Sequence, residues 1–490
     1  MLGVLVAFLV CLLILRFPKQ LWSNRPYPPG PLWLPIIGSM WRVGIKFRKD
    51  TVFKLAKQYG NVFMLWLGLM PMVVLSGYEA VKEGLINHSE DFADRIATPF
   101  LKIMGKEMGI IFSNGHAWKQ QRKFALVTLR KMGLGKKGME HQIEEEAHQL
   151  LQTFANAKGH PFDPSISIRN SVTNVICAVA FGYRFSVEDK QFLEWVEGGD
   201  YIFSFLGSFW QGFFEVFPWL MKRVPGPPKK ALSYAEAMFS FARKEIEKHK
   251  GRDAVYEPQD FIDFYLLQMQ QSKNDPNSTY NEDNLTQIIF EFFMAGSETA
   301  TLTLRWALLL MANHPDIQEK VHKEIEDVLG SPQSFTYQDR KKLNYTNAVI
   351  HEIQRSQYVI FLGGPRQCTK DVNMLGFLIP KGTIIVSDLR SVLLDPKQWE
   401  TPEAFNPNHF LDEDGSFVAK EAFLPFGAGA RVCLGEQLAR IELFIFFTSL
   451  MRAFTFQLPE GVKELDTDPL IGLSVVPRPY KICAVPRSSS

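Results

Sequence analysis

One cysteine constrains this chain more than any other residue. In the stretch FLPFGAGARVCLGEQLARIELFIFF (423–447), Cys433 sits in a fixed frame with Phe426, Gly429, Arg431 and Gly435. Gly427 and Gly429 permit a turn with positive φ and let the backbone approach a flat ligand closely. An apolar-periodic run starts just past the cysteine (Leu434, Leu438, Ile441, Leu443, Phe444) and predicts a helix there. A cysteine at a helix N-terminus has its thiolate favoured by the macrodipole and by free N–H groups. A lone cysteine is more often a structural core residue. Here the spaced glycines, phenylalanine and arginine favour another reading. A thiolate beneath a planar iron porphyrin, with Arg431 answering a propionate, fits every piece.

The rest of the chain is compatible with a large buried cofactor. Its 490 residues are 46% hydrophobic and 22% charged, a globular composition, and no internal linker divides them. The net charge of +2 gives no support for nucleic-acid binding. Five cysteines are scattered as Cys11, Cys177, Cys368, Cys433 and Cys483, without a CxxC, which argues against a disulfide framework or a zinc site. Residues 2–15 are an unbroken apolar run, short of the roughly 20 that a spanning helix needs. Extension through Phe17, Leu21 and Trp22, with Arg16 and Lys19 snorkelling, makes up the length. The basic residues follow the run and no small-residue cleavage site does, so an uncleaved anchor (1–22) is expected, with the body on the cytosolic side. PYPPGPLWLP (26–35) cannot be helical and closes a Pro-rich hinge (23–35) before the main body (36–490).

Within that body, 50–59 reads as a helix and 61–76 as a hairpin broken at Gly68 and Pro71. A helical stretch follows His116 and carries Trp118 and Arg122 on one face. From Lys119 to Lys137 there are seven basic residues and no acidic one, either a solvated face or a docking face for an acidic electron carrier. Residues 201–219 hold six Phe, two Trp and a Tyr, a load that suits core or a position at a membrane interface. The longest helical candidate, 281–313, is apolar on nearly all sides and should cross the core. Its centre, Ala295-Gly296-Ser297-Glu298-Thr299, is costly in a buried helix. Either it is a plain kink, with Thr299 bonding back to the Ala295 carbonyl, or the kink is used. Residues 372–386 read as a strand pair turning at Pro380-Lys381-Gly382, and 470–485 as a closing hairpin.

The frame Phe426…Gly429…Arg431…Cys433…Gly435 resembles the haem-binding signature of the cytochrome P450 family. The flanking GEQLARIELFIFF resembles its microsomal second family, and the likeness extends over nearly the whole chain. It implies a mainly α fold with small β-sheets, a long central helix over the haem and an N-terminal membrane anchor. It implies haem b, with Cys433 as axial ligand. Arg95, Trp118, Arg122, Arg366, Phe426, Gly429 and Arg431 would contribute to haem binding. Glu298 and Thr299 match the family's acid–alcohol pair, where Ala300 stands in place of a frequent Thr or Ser. Phe100, Phe112, Phe203, Phe292, Ala295, Val359, Phe361 and Leu473 would line the substrate pocket. Glu352 and Arg355 resemble the ion pair behind the haem, with His409 where many members have Arg. Phe361 replaces a usual Pro, and Gly363-Gly364 follows it, so the pocket departs from the pattern there.

The implied activity is a membrane-bound monooxygenase on the cytosolic face of the endoplasmic reticulum. It would take electrons from NADPH–cytochrome P450 reductase, with cytochrome b5 as a further donor, and would oxidise lipophilic compounds, fatty acids or xenobiotics. A reductase-independent isomerase or peroxygenase is the nearest alternative, and a non-catalytic haem sensor belongs to a different class. Glu298, Thr299 and the basic stretch speak against the first, and a sensor would need neither a proton relay nor the aromatic stretch 201–219, which the resemblance makes a lid.

Overall fold

The structure is a computed structural model. It describes residues 27–487 except 35–37, 44–48, 69, 134–136, 252–256 and 331–334. The expected anchor (1–22) and the first residues of the hinge lie outside the described residues. Among the described residues no helix is long and apolar enough to cross a membrane. The chain divides into two compact units, one containing Ile96 and everything before it together with Leu362–Ser391, the other Ala97–Phe361 and Val392–Ser490.

The smaller unit is a sheet backed by a helix. Helix α1 (Lys49–Tyr59) precedes strands β1 (Val62–Leu67) and β2 (Met70–Ser76), apolar runs that pair antiparallel across Gly68. Strands β3 (Asp94–Arg95), β4 (Arg366–Gln367) and β7 (Ile384–Asp388) complete a sheet of order β1-β2-β7-β4-β3. Only the β2–β7 pair is parallel. Val52 and Leu55 of α1 pack on Phe63, Leu65, Val74 and Val386. Residues of the hinge lie along β1, where the Met64 N–H donates to the Pro29 carbonyl at 2.8 Å. The strand pair expected over 372–386 is divided between two sheets. Strand β5 (Val372–Met374) turns onto β6 (Phe377–Ile379) through Leu375 and Gly376, both with positive φ (50° and 82°). That is the two-residue turn whose twist matches a hairpin. Pro380-Lys381-Gly382 only carries the chain on to β7.

The larger unit is helical. Its principal elements are α2 (Pro99–Gly105), α3 (Gly115–Lys131), α4 (Lys137–Ala155), α5 (Ser165–Phe181), α6 (Lys190–Leu206), α7 (Phe209–Val216), α8 (Pro227–Lys250), α9 (Phe261–Gln271), α10 (Glu282–Asn313), α11 (Asn344–Ser356) and α12 (Glu436–Ala453). Strand β8 (Phe454–Gln457) pairs with β11 (Cys483–Pro486), and β9 (Leu470–Ile471) with β10 (Val475–Val476). The hairpin expected over 470–485 is therefore confined to β9 and β10, because β11 finds its partner in the strand that leaves α12.

Helix α10 organises this unit. The Asn281 side chain caps it by accepting from the Asn284 N–H at 2.8 Å, and Glu282 and Asp283 complement the dipole of its first turn. It ends at Asn313 because Pro315 disfavours helix at the residue before it. Helix α5 packs closely along it. A Cβ on Gly296 would stand 2.5 Å from Cδ1 of Ile176, so any larger residue would force that side chain to shift.

Candidate active site

The cysteine loop is a tight, hydrogen-bonded turn. The Cys433 N–H donates to the Phe426 carbonyl at 3.0 Å and the Val432 N–H to the Gly429 carbonyl at 3.0 Å. Gly427 and Gly429 supply φ values of 71° and 72°. No atom comes within 4 Å of where a Cβ on Gly427 would be, so the loop presents bare backbone to open space. Helix α12 starts at once, and the N–H groups of Gly435 and Glu436 are directed at the Cys433 sulfur.

Cys433 itself is exposed, whereas Cys177 and Cys368 are buried. Burial nevertheless raises its pKa, against the two amides and Arg122, which lower it. The Cys433 thiol is thus accessible although protein packs closely around it.

Cations and an indole gather beside it. The Arg122 Nη2 donates to the Val432 carbonyl at 2.6 Å, and burial lowers the pKa of its guanidinium. The Arg431 guanidinium lies 3.9 Å above the Trp118 ring. It donates to the carbonyls of Ile110 (2.9 Å) and Ser113 (2.7 Å) and to Asn114 Oδ1 (3.1 Å). The Trp118 Nε1 is buried with no hydrogen-bond partner among the described residues. A buried donor beside an accessible thiol fits a ligand that carries an acidic edge. Cys433, Trp118, Arg122 and Arg431 come from separate stretches of sequence, and the fold brings them together.

Arg95 and Arg366 belong to the smaller unit. They are register partners on β3 and β4, and Arg95 Nη1 donates to the Gly364 and Pro365 carbonyls at 2.6 and 2.9 Å.

Helix α10 shows two different faces at its centre. Phe292, Ala295 and Thr299 share one face, where Ala295 is exposed and the other two are half-buried. Thr299 Oγ1 donates back to the Ala295 carbonyl at 2.8 Å. Glu298 turns to the other face, among α5 and α6, where burial raises its pKa against the pull of Arg169 and Arg305. Phe203 lines that second face too. Phe100 is wholly buried against Phe205 and Phe214. Phe112 packs on Gly105, Phe361 is buried, and Val359 receives the Val475 N–H at 2.8 Å. Leu473 is exposed at the tip between β9 and β10, against the end of α6 at Gly207.

Glu352 and Arg355 are fully buried and bidentate, Nε to Oε2 at 2.7 Å and Nη2 to Oε1 at 2.7 Å. The other guanidinium N–H groups donate to the carbonyls of Leu393, Pro402 and Ala404, each at 2.8 Å. His409 Nδ1 stands 3.2 Å from Glu352, while its Nε2 accepts from the Thr401 N–H at 3.2 Å, which assigns the Nδ1–H tautomer. A single imidazole donor thus does what a second guanidinium could do with more.

Sequence reasoning missed Glu291. This carboxylate accepts from the N–H groups of Ile110 (2.6 Å) and Ile111 (3.0 Å), and burial pushes its pKa up to about 7. It grips by its amides the same loop whose carbonyls Arg431 holds. An acidic residue in a helix that is apolar all round was the available signal.

Comparison with known proteins agrees with this geometry. The family model for Cytochrome P450 matches residues 28–484. Human cytochrome P450 2J2 is 43% identical over 484 residues, covering 98% of this chain and 95% of the relative. Mouse cytochrome P450 2J5 is 42% identical over 98% of the chain and 94% of the relative. Human cytochrome P450 2C8 is 40% identical over 99% of each.

Proposed function

The chain belongs to the cytochrome P450 family, as a haem-thiolate monooxygenase whose cofactor is haem b, and on that premise we propose the roles of its residues and the setting in which it works. The observation that carries the site assignment is the accessible Cys433 thiol, faced by the amides of α12 and flanked by Arg122 and by the unpartnered Trp118 Nε1. Cys433 would be the axial ligand. Trp118, Arg122 and Arg431 would hold the acidic edge of the macrocycle, and Phe426 and Gly429 would shape the loop beneath it. For Arg95 and Arg366 the support is the family resemblance and their adjacency on β3 and β4.

Haem, when bound, supplies the dioxygen chemistry, and thiolate ligation favours O–O cleavage. The protein supplies what surrounds it. The Gly435 and Glu436 amides and Arg122 stabilise the sulfur as thiolate, against the cost of burial. The open face of α10 at Ala295 leaves room for a small ligand. Thr299 Oγ1 is held by its bond to the Ala295 carbonyl with its lone pairs free to hold a proton. Burial raises the pKa of Glu298 against Arg169 and Arg305, which favours its protonated form over that of an ordinary surface carboxylate. Glu352, Arg355 and His409 fix the backbone that leads to the cysteine loop.

Residues 36–490 would be the haem-containing catalytic domain. Electrons would come from NADPH through a reductase docked on the basic surface of α3, where Lys119, Lys123, Arg130 and Lys131 are exposed, with cytochrome b5 as a second donor. The setting would be the cytosolic face of the endoplasmic reticulum membrane, and the substrates lipophilic, fatty acids or xenobiotics. Turnover with purified reductase and labelled dioxygen tests this reading. The expected result is reductase-dependent NADPH oxidation and one labelled oxygen atom in a fatty-acid or xenobiotic probe. Product without reductase would make it a peroxygenase or isomerase. Intact haem with no NADPH oxidation would make it a sensor or carrier.

A further inference from the structure

On the face of α10 opposite the Phe292–Ala295–Thr299 face lies a second feature. A narrow cleft of about 30 Å³ lies between α5, α6, α8 and α10, with Glu298 in its lining. Its polar walls are Arg169 and Thr173 from α5, Asp200 from α6, and Ser297 and Glu298 from α10. Arg169 Nη1 and Asp200 Oδ2 form an ion pair. Three atoms around it are buried without a hydrogen-bond partner among the described residues: Arg169 Nε, Thr173 Oγ1 and Ser297 Oγ. Unsatisfied donors and hydroxyls lining a cleft of that size are conditions under which an ordered water is retained. Trp195, Phe293 and Met294 close the rest of the same cleft with apolar atoms.

We propose that Asp200 is the outer member of a proton path that runs through this water-holding cleft to Glu298, with Arg169 setting the charge on Asp200. The path rests on the reading of Glu298 as a proton donor. Its step is a simple relay. The Asp200 carboxylate takes a proton from solvent and passes it through water held by Thr173 Oγ1 and Ser297 Oγ to the Glu298 carboxylate. Asp200 returns to its ionised form and is reprotonated from solvent. No electrons move. Asp200 is a relay residue that acts through Glu298 and touches neither haem nor substrate.

The electrostatics agree with the geometry. Burial pushes Asp200 up to about 6, against Arg169. The charged groups that face it are Arg169 from α5 and Glu298 and Arg305 from α10, and α8 presents the apolar Met238 to the cleft. Glu298 raises it further and Arg305 lowers it. A carboxyl that titrates near 6 gives and takes protons at comparable rates close to neutral pH, which a relay needs. A surface aspartate, near 4, is almost always empty.

The test is Asp200→Asn in the reductase-driven holoenzyme, read by the solvent deuterium isotope effect on NADPH oxidation. The ferrous carbon monoxide spectrum is recorded alongside. The expected result is an unchanged spectrum, an isotope effect raised roughly twofold or more, and loss of a pH inflection near 6. In the infrared difference spectrum of the resting protein between about pH 5 and 7, one carboxyl band should vanish in the variant. An unchanged isotope effect with an unchanged inflection overturns the proposal.

A Glu298→Gln background separates the two readings. If Asp200 works through Glu298, adding Asp200→Asn there changes nothing more. A full additional effect overturns the relay. If Glu298→Gln alone has no effect, the reading of Glu298 falls, and the relay with it. Should Asp200→Asn fail to fold, Arg169→Gln takes its place. Without its cation Asp200 must titrate at higher pH, and an inflection that stays in place overturns the proposal.

Discussion

At the scale of single residues, the chemistry rests on polar groups that α10 carries within an apolar sequence. Thr299 lies on its open face, with Oγ1 bonded to the Ala295 carbonyl. Replacing it with Ala removes the hydroxyl without disturbing a neighbour, so NADPH oxidation should persist while organic product per NADPH falls about tenfold and peroxide rises. Equal product yield from Thr299→Ala would remove Thr299 from proton handling. Glu291 gives a prediction on stability. Its folded pKa of about 7 lies above the ordinary value of 4.5, so its contribution is fully present below about pH 4.5 and is lost as pH rises through 7. Thermal unfolding of the wild type should show a loss of roughly 3 kcal/mol across that window, and Glu291→Gln should flatten the slope. Parallel pH profiles for the two proteins would refute the assignment. Sequence spacing made the Cys433 frame legible, since it is local, whereas the Glu352–Arg355 turn stood out only through the family resemblance. Asp200 and Arg169 were not legible, because their partners lie in other elements and an isolated charge on a helix carries no local signal, whereas Glu291 was marked only by its acidity within an apolar run.

At the scale of elements, helix α10 carries the site by presenting different chemistry on its two faces. Its close approach to α5 depends on Gly296. A Gly296→Ala change forces a methyl group to within 2.5 Å of Ile176, at a cost of about 1–3 kcal/mol. Ile176→Val, which removes the offending Cδ1, should recover part of that loss, and denaturant unfolding of the single and double variants measures it. Independent, additive losses would show that the contact is not the cause. The boundaries of α1, α10 and the β1–β2 hairpin could be read from periodicity and turn residues. The pairing of β7 could not. Its partner β2 lies some 310 residues away, and strand pairing at that distance leaves no trace in local pattern. The same holds for β11, which pairs back to β8 rather than to its neighbour in sequence.

At the scale of the whole molecule, a large helical unit holds an accessible thiol and carries an exposed aromatic patch suited to a lipid surface. In that patch Trp210, Phe213, Phe217 and Trp219 are 42, 39, 42 and 63% exposed. A chain lacking residues 1–26 should therefore still partition onto phospholipid vesicles. Replacing Trp210, Phe213 and Trp219 together by Ala should weaken partitioning more than tenfold, at roughly 1 kcal/mol for each side chain. Equal partitioning would assign all membrane contact elsewhere. Everything proposed for the site depends on ligation of the haem iron by Cys433. The carbon monoxide difference spectrum of the reduced protein reads that bond, recorded for wild type and Cys433→Ser together. Thiolate ligation predicts a strongly red-shifted Soret band in the wild type and its loss in the variant. A band at the ordinary histidine–haem position in well-folded wild-type protein, or a red-shifted band that survives in Cys433→Ser, would contradict it.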